Sequence, residues 1–178
     1  MPYLEIHTSD RSLFKRCRQR WDFSSNLRQN LEPITTIEPL WFGTGMHLAL
    51  AEYYRPDTPR DIELAVSAFS EYVEAWRKEQ DNRGALDEQQ AEWAEEMLTL
   101  GKGVLEHYGV WAPAHDEFEV LWVEKTFEVS VPGMPGVVYS FRVDGLVQDA
   151  QERVWILEHK TAAQLYEDEE WLALDDQC

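Results

Sequence analysis

Two hydrophobic rhythms divide the chain near Pro113. Before it, apolar residues recur every three or four positions, as on one face of a helix; after it they alternate, as on a half-buried strand. The spacing predicts a first helix over residues 9–28, with Ser9 as N-cap and Leu13, Cys17 and Trp21 at i, i+4 and i+8. Residues 29–39, containing Pro33 and Pro39, read as a loop. WFGTGMHLALAEYY, residues 41–54, reads as a second helix whose glycines point to close packing or an irregular start. Thr58-Pro59 is a helix-start signal, and Ile62, Val66, Phe69, Val73 and Trp76 then lay one apolar stripe along a third helix. Between Leu86 and Tyr108 the stripe repeats as Trp93, Met97, Leu100, Val104 and Tyr108. These stripes assign Trp76, Trp93 and Trp111 to the core.

FEVLWVEKTFEVSV, residues 118–131, alternates and is rich in β-branched and aromatic residues, so it reads as a strand. PGMPG at 132–136 is a turn. VVYSFRVDGLVQD (137–149) and RVWILEHKT (153–161) read as two further strands, joined near Ala150-Gln151. The acidic tail from Gln164 starts another helix, with Glu167–Glu170 as its solvated beginning. Four helices, a three-stranded meander and a helix imply a mixed α+β or α/β core. At 178 residues the chain suits one domain, 1–178: mainly helical over 1–112, the meander over 113–163, and the start of a helix over 164–178.

Composition narrows the class. A hydrophobic content of 44% with eight tryptophans argues for a packed globule. No apolar run approaches the ~18 residues that cross a bilayer, so no membrane partner is expected. MPYLEIHTSDRS lacks the basic start and apolar stretch of a signal peptide. Cys17 and Cys178 make no disulfide framework and by themselves no four-thiolate metal site, which points to a reducing cytoplasm. The net charge of −18 opposes a nucleic-acid partner. Its distribution softens that objection: residues 11–28 hold six cations against Asp22, a net of +5, leaving −23 on the rest. The cluster from Arg11 to Arg20 is equally the solvated face of an amphipathic helix and a guide for a phosphate backbone.

The candidate chemistry lies at the end of the last strand. Glu158 and Lys160 are two residues apart and project from one face, while His159 points to the other and leaves its carbonyl at the strand end. Asp144 interrupts the apolar alternation of FRVDGLV. With an odd number of residues in the connecting turn, Asp144 lies opposite Glu158; with an even number, Leu157 takes that place. Two carboxylates and a backbone carbonyl suit a hard cation such as Mg²⁺ or Mn²⁺, and a nearby ammonium suits work on phosphate. A lone D…ExK is common by chance, and simple charge pairing is the heavier reading for these three residues alone. His47 beside Met46 and Leu48 on an apolar helix is, alone, more often a satisfied core histidine. Glu124 either assists such a site or caps a surface. His7, His107, His115 and the ring of His159 have no ligand-like spacing.

Asp144, thirteen residues, then Glu158-His159-Lys160 resembles the core of the PD-(D/E)XK nuclease superfamily. FGTGMH (42–47), SLFKRCRQRWDF (12–23) and LDDQC (174–178) resemble motifs of its RecB-like branch, which includes phage and CRISPR-associated exonucleases. The resemblance spans nearly the whole chain. It implies a restriction-endonuclease-like core, a mixed sheet flanked by helices. It makes Asp144, Glu158 and Lys160 the catalytic residues of a DNA exonuclease in recombination, repair or phage DNA processing. It also makes His47, Asp144, Glu158 and the His159 carbonyl the ligands of one or two Mg²⁺ or Mn²⁺ ions. Gln177, in the glutamine position of a Gln-xxx-Tyr motif, would contact substrate, as would Arg11, Lys15 and Arg18. The chain ends one residue after Gln177, before that motif's tyrosine, which implies truncation at the C-terminus. Cys17 matches the early cysteine of relatives that bind an iron–sulfur cluster, but no late cysteine triplet follows, so no cluster is expected. The second reading is a catalytically silent module or acidic DNA mimic that engages a DNA-processing protein; the −18 charge favours it.

Overall fold

The computed structural model describes residues 3–32 and 38–162. In chain order these form β1 (Leu4–His7), α1 (Thr8–Arg16), α2 (Arg18–Ser24), α3 (Glu38–Tyr53), α4 (Ile62–Asn82) and α5 (Glu88–Trp111). A 3-10 turn at Ala112–Ala114 leads into β2 (Phe118–Ser130), β3 (Val137–Asp149) and β4 (Val154–Leu157). The sheet is mixed: β3 lies between β1 and β2, runs parallel to β1 and pairs antiparallel with β4. This is the mixed α/β class that the two rhythms imply. The helix expected from Gln164 lies outside the described residues, as do Gln177 and Cys178. No described helix is long and apolar enough to cross a membrane.

The described residues fall into two units, one built from 3–32, 126–142 and 161–162, the other from 38–125 and 143–160. In the first, β1 pairs with Val137–Ser140 of β3. Four residues are too few to show an alternation, so the pattern of apolar positions gave no sign of this strand. The single helix expected over 9–28 is instead two, broken at Cys17, whose backbone is extended. A buried carboxylate explains the break. Asp10 accepts hydrogen bonds from the Trp21 indole at 3.1 Å, from the Ser25 hydroxyl and from the His7 amide at 3.2 Å. Along one continuous helix Asp10 and Trp21 would be separated by about 16 Å of rise. The chain must therefore turn back for Trp21 to reach Asp10. His7, not Ser9, is the N-cap of α1.

The second unit is three helices packed in sequence, α3 on α4 and α4 on α5, together with sheet residues Phe118, Val120, Val123 and Leu157. α3 begins at Glu38, so Pro39 falls in its first turn, where a proline costs no hydrogen bond. α4 begins at Ile62, three residues after Pro59, because the Asp61 side chain accepts from the Glu63 amide and caps it there. On α5 the buried line is Ala94, Gly101 and Leu105, while Leu100 and Val104 are exposed. Trp76 is buried and Trp93 packs on the core, joined to Trp41 and Tyr72 in one aromatic cluster. Trp111 is a correction: it is exposed and stacks on His115 with centroids 4.3 Å apart. It lies at the end of α5, where the chain leaves the helix packing.

The glycines of α3 and α5 have a packing reason at two positions. Phe69 of α4 is fully buried, and a Cβ on Gly45 or Gly101 would lie 2.8 or 2.1 Å from its ring carbons. The ring thus fills the room left by two missing side chains. Gly101→Ala should gain about 1 kcal/mol in helix propensity yet lose about 1–3 kcal/mol or more by overpacking. Urea denaturation should therefore show a net destabilisation, and an unchanged or higher midpoint would contradict this packing.

Candidate functional site

Burial of Gly45, Met46, Ala49, Leu50 and Tyr53 sets the rotation of α3, and His47 on that helix meets β3. Its Nδ1 lies 3.0 Å from Asp144 Oδ1 and 4.0 Å from Glu124 Oε1 of β2. β3 and β4 pair with Gly145 opposite Leu157, Leu146 opposite Ile156 and Val147 opposite Trp155. This is the odd-turn register, and Asp144 is the next residue of β3 beyond the last pair, Gly145 with Leu157. Asp149 closes the turn by accepting from the Gln151 and Arg153 amides, the Arg153 guanidinium and the Trp155 indole. These bonds hold its carboxyl down at about 2, against the upward push of burial.

The strand expected over 153–161 is shorter at its end. β4 stops at Leu157, so Glu158, His159 and Lys160 follow the ladder rather than extend it. The His159 amide donates instead to Asp144 Oδ2 at 2.7 Å. A side-chain carboxylate has taken the place of a ladder acceptor, and both its oxygens are engaged. Glu158 and Lys160 are exposed, whereas the His159 ring turns inward and stacks on Tyr54 at 5.5 Å and 19°.

The two histidines shift in opposite directions. His47 is raised, chiefly by its hydrogen bond to Asp144, with burial opposing and the charges of Glu124 and Glu158 adding. His159 is lowered, mainly by burial. For Asp144 burial pushes the carboxyl up, but the bonds from His47 and the His159 amide outweigh it and leave the group below its ordinary range. Asp144 thus favours the charged form of His47 and is itself favoured as the carboxylate, while burial disfavours charge on the His159 ring.

His47, Glu124 and Asp144 each offer a ligand atom within 4.8 Å of the others. One imidazole nitrogen and two carboxylates form a donor set that fits a divalent cation, which would replace the proton on His47. Glu124 is the residue that sequence reasoning underweighted. It has φ 48 within β2, a left-handed conformation unusual for glutamate. The burial along β2 is irregular in the same stretch: Phe118, Val120, Leu121, Val123, Glu124 and Phe127 are the partly buried positions, so strict alternation fails there.

Arg11, Lys15 and Arg18 are exposed on α1 and α2, with Arg18 lying over the Phe14 ring. They belong to the first unit, whereas His47, Glu124, Asp144, Glu158, His159 and Lys160 all belong to the second. Cys17 is exposed with a free thiol.

The family model for the PD-(D/E)XK nuclease superfamily matches residues 8–178. The chain belongs to that superfamily. Its mixed sheet with flanking helices agrees with a restriction-endonuclease-like fold, and membership points to nuclease activity. No curated protein matches the sequence. Asp144 and Glu158 lie at one end of the β3–β4 pair, with Asp144 Oδ1 3.0 Å from His47 Nδ1 of α3.

The His47–Asp144 pair makes a pH prediction for the metal-free protein. Asp144→Asn should lower the His47 pKa, read by NMR titration of its ring protons. The raised His47 stabilises the fold below its unfolded pKa and loses that contribution as pH rises through its folded value. The lowered Asp144 stabilises above its unfolded pKa and loses it as pH falls. The stability deficit of Asp144→Asn should therefore peak at pH about 4–6.5. An unmoved His47 titration would contradict the pairing.

Proposed function

We propose that this chain is a metal-dependent deoxyribonuclease of the RecB-like branch, acting on DNA ends as an exonuclease in recombination, repair or phage DNA processing, in the cytoplasm. The observation that carries the reading is the meeting of His47, from the FGTGMH helix, with Asp144 and Glu124 at one end of the β3–β4 pair. A lone D…ExK has no reason to draw a histidine from a distant helix to within 3.0 Å of its aspartate.

In this reading His47, Asp144, Glu158 and the His159 carbonyl hold Mg²⁺ or Mn²⁺, with Glu124 as a further oxygen donor. Such a cation, when bound, neutralises phosphate charge and lowers the pKa of water. The chain's own work is then positional. Asp144 is oriented from two sides, by His47 and the His159 amide. Lys160 hydrogen-bonds the attacking water or the phosphate oxygens and stabilises charge developing as the P–O ester bond breaks. Arg11, Lys15 and Arg18 contact the backbone by charge, and Gln177 contacts substrate.

The net charge of −18 favours a second reading, a silent nuclease-like module or DNA mimic bound to a DNA-processing protein. End-labelled single- and double-stranded DNA incubated with Mn²⁺, Mg²⁺ or EDTA separates the two. The nuclease reading expects metal-dependent release of nucleotides that EDTA stops. It further expects Lys160→Ala to lower cleavage at least about 10²-fold, a loss typical of a group that stabilises transition-state charge, while Mn²⁺ binding persists. Undiminished cleavage by that variant would sink the role of Lys160, and an inert wild-type chain would favour the silent module.

A further inference from the structure

His159 is tied down at both ends. Its amide donates to Asp144, while its ring is held by a group of residues none of which belongs to the motifs singled out in the sequence. The ring stacks on Tyr54 and meets Tyr108 edge-on at 6.3 Å. Tyr54 is almost completely buried, two helical turns beyond His47. Its hydroxyl donates to Asp116 Oδ2 at 2.6 Å and so must accept from the Tyr108 hydroxyl, also at 2.6 Å. Arg60 completes the support. It donates to Asp116 at 2.9 Å and to the Phe118 carbonyl at 3.0 Å, and its guanidinium lies over the Tyr54 and Phe118 rings. An acid with its side chain only 7% exposed, a half-buried arginine and two hydroxyls largely withdrawn from water are a costly group to place beside a core. Here each has a named partner, and they converge behind one ring.

We propose that Tyr54, backed by Asp116 and Arg60, is a positioning residue for the metal centre: it anchors the His159 ring and so holds the His159 peptide against Asp144. The proposal rests on the metal-dependent reading above and adds to it a support outside the nuclease motifs. Groups that orient a ligand from behind typically govern metal affinity about 10–100-fold. Without the Tyr54 ring the segment after β4 is free to shift, and the Asp144 carboxylate loses its second restraint.

Titration calorimetry with Mn²⁺ on the full chain tests this, with thermal melts alongside. Tyr54→Leu removes the stacking ring and should weaken Mn²⁺ binding at least about tenfold. Tyr54→Phe keeps the ring but loses both hydrogen bonds and should give a smaller, measurable loss. Val73→Ala, a fully buried position on α4, controls for general loosening: its melting temperature should fall with Mn²⁺ affinity unchanged. If Tyr54→Leu does not fold, Tyr54→Phe decides, and wild-type affinity in it overturns the proposal. The proposal is equally overturned if Tyr54→Leu binds Mn²⁺ as wild type does, or if all three variants lose affinity in step with stability. A wild-type chain that takes up no Mn²⁺ overturns the metal reading itself, and this inference with it.

Discussion

The partly buried carboxylate of Asp144 is the constraint around which the second unit is organised. A carboxylate with its side chain 12% exposed must be paired or protonated. Here one oxygen takes the His47 imidazole and the other takes the His159 amide, so the charge is satisfied from a helix and from the chain after a strand. Each partner requires its own support. His47 depends on the close approach of α3 to α4, which Gly45 permits, and His159 depends on the ring packing beneath it. A divalent cation held there would offset the same acids and would require the neutral form of His47.

The strain at Glu124 fits the same logic. A regular strand would send its side chains alternately to the two faces, and holding a glutamate in the left-handed region costs on the order of 1–3 kcal/mol. That cost is borne at a position whose carboxylate faces the His47–Asp144 pair. The first unit solves a parallel problem without a metal-like donor set. Its buried Asp10 is satisfied by an indole, a hydroxyl and an amide, and the price is a broken helix.

Much of this was legible beforehand, for identifiable reasons. The helix and strand rhythms survive as α3, α4, α5, β2 and β3 because their stripes are long, and β3 matches its expected bounds. The β3–β4 register could be written as a parity condition because strand geometry alternates strictly. Features that depend on tertiary partners were not readable. Asp10 breaks a helix that periodicity would continue, β1 exists only through its pairing with β3, and Glu124 reaches the site from a left-handed backbone position within β2. Trp111 shows the opposite failure: at the helix end the stripe leaves the core, and the ring stays half exposed with His115 and Tyr108 as its ring neighbours.

In the proposed reading His47, Asp144 and Glu124 converge to hold a divalent cation. Anomalous diffraction from crystals grown with Mn²⁺ tests it directly. The account predicts a peak within coordinating distance, about 2.0–2.3 Å, of His47 Nδ1 and an Asp144 oxygen, with Glu124 in the same coordination sphere or one water away. Crystals in which His47 stays bonded to Asp144 with no metal peak between them, at millimolar Mn²⁺, would contradict it.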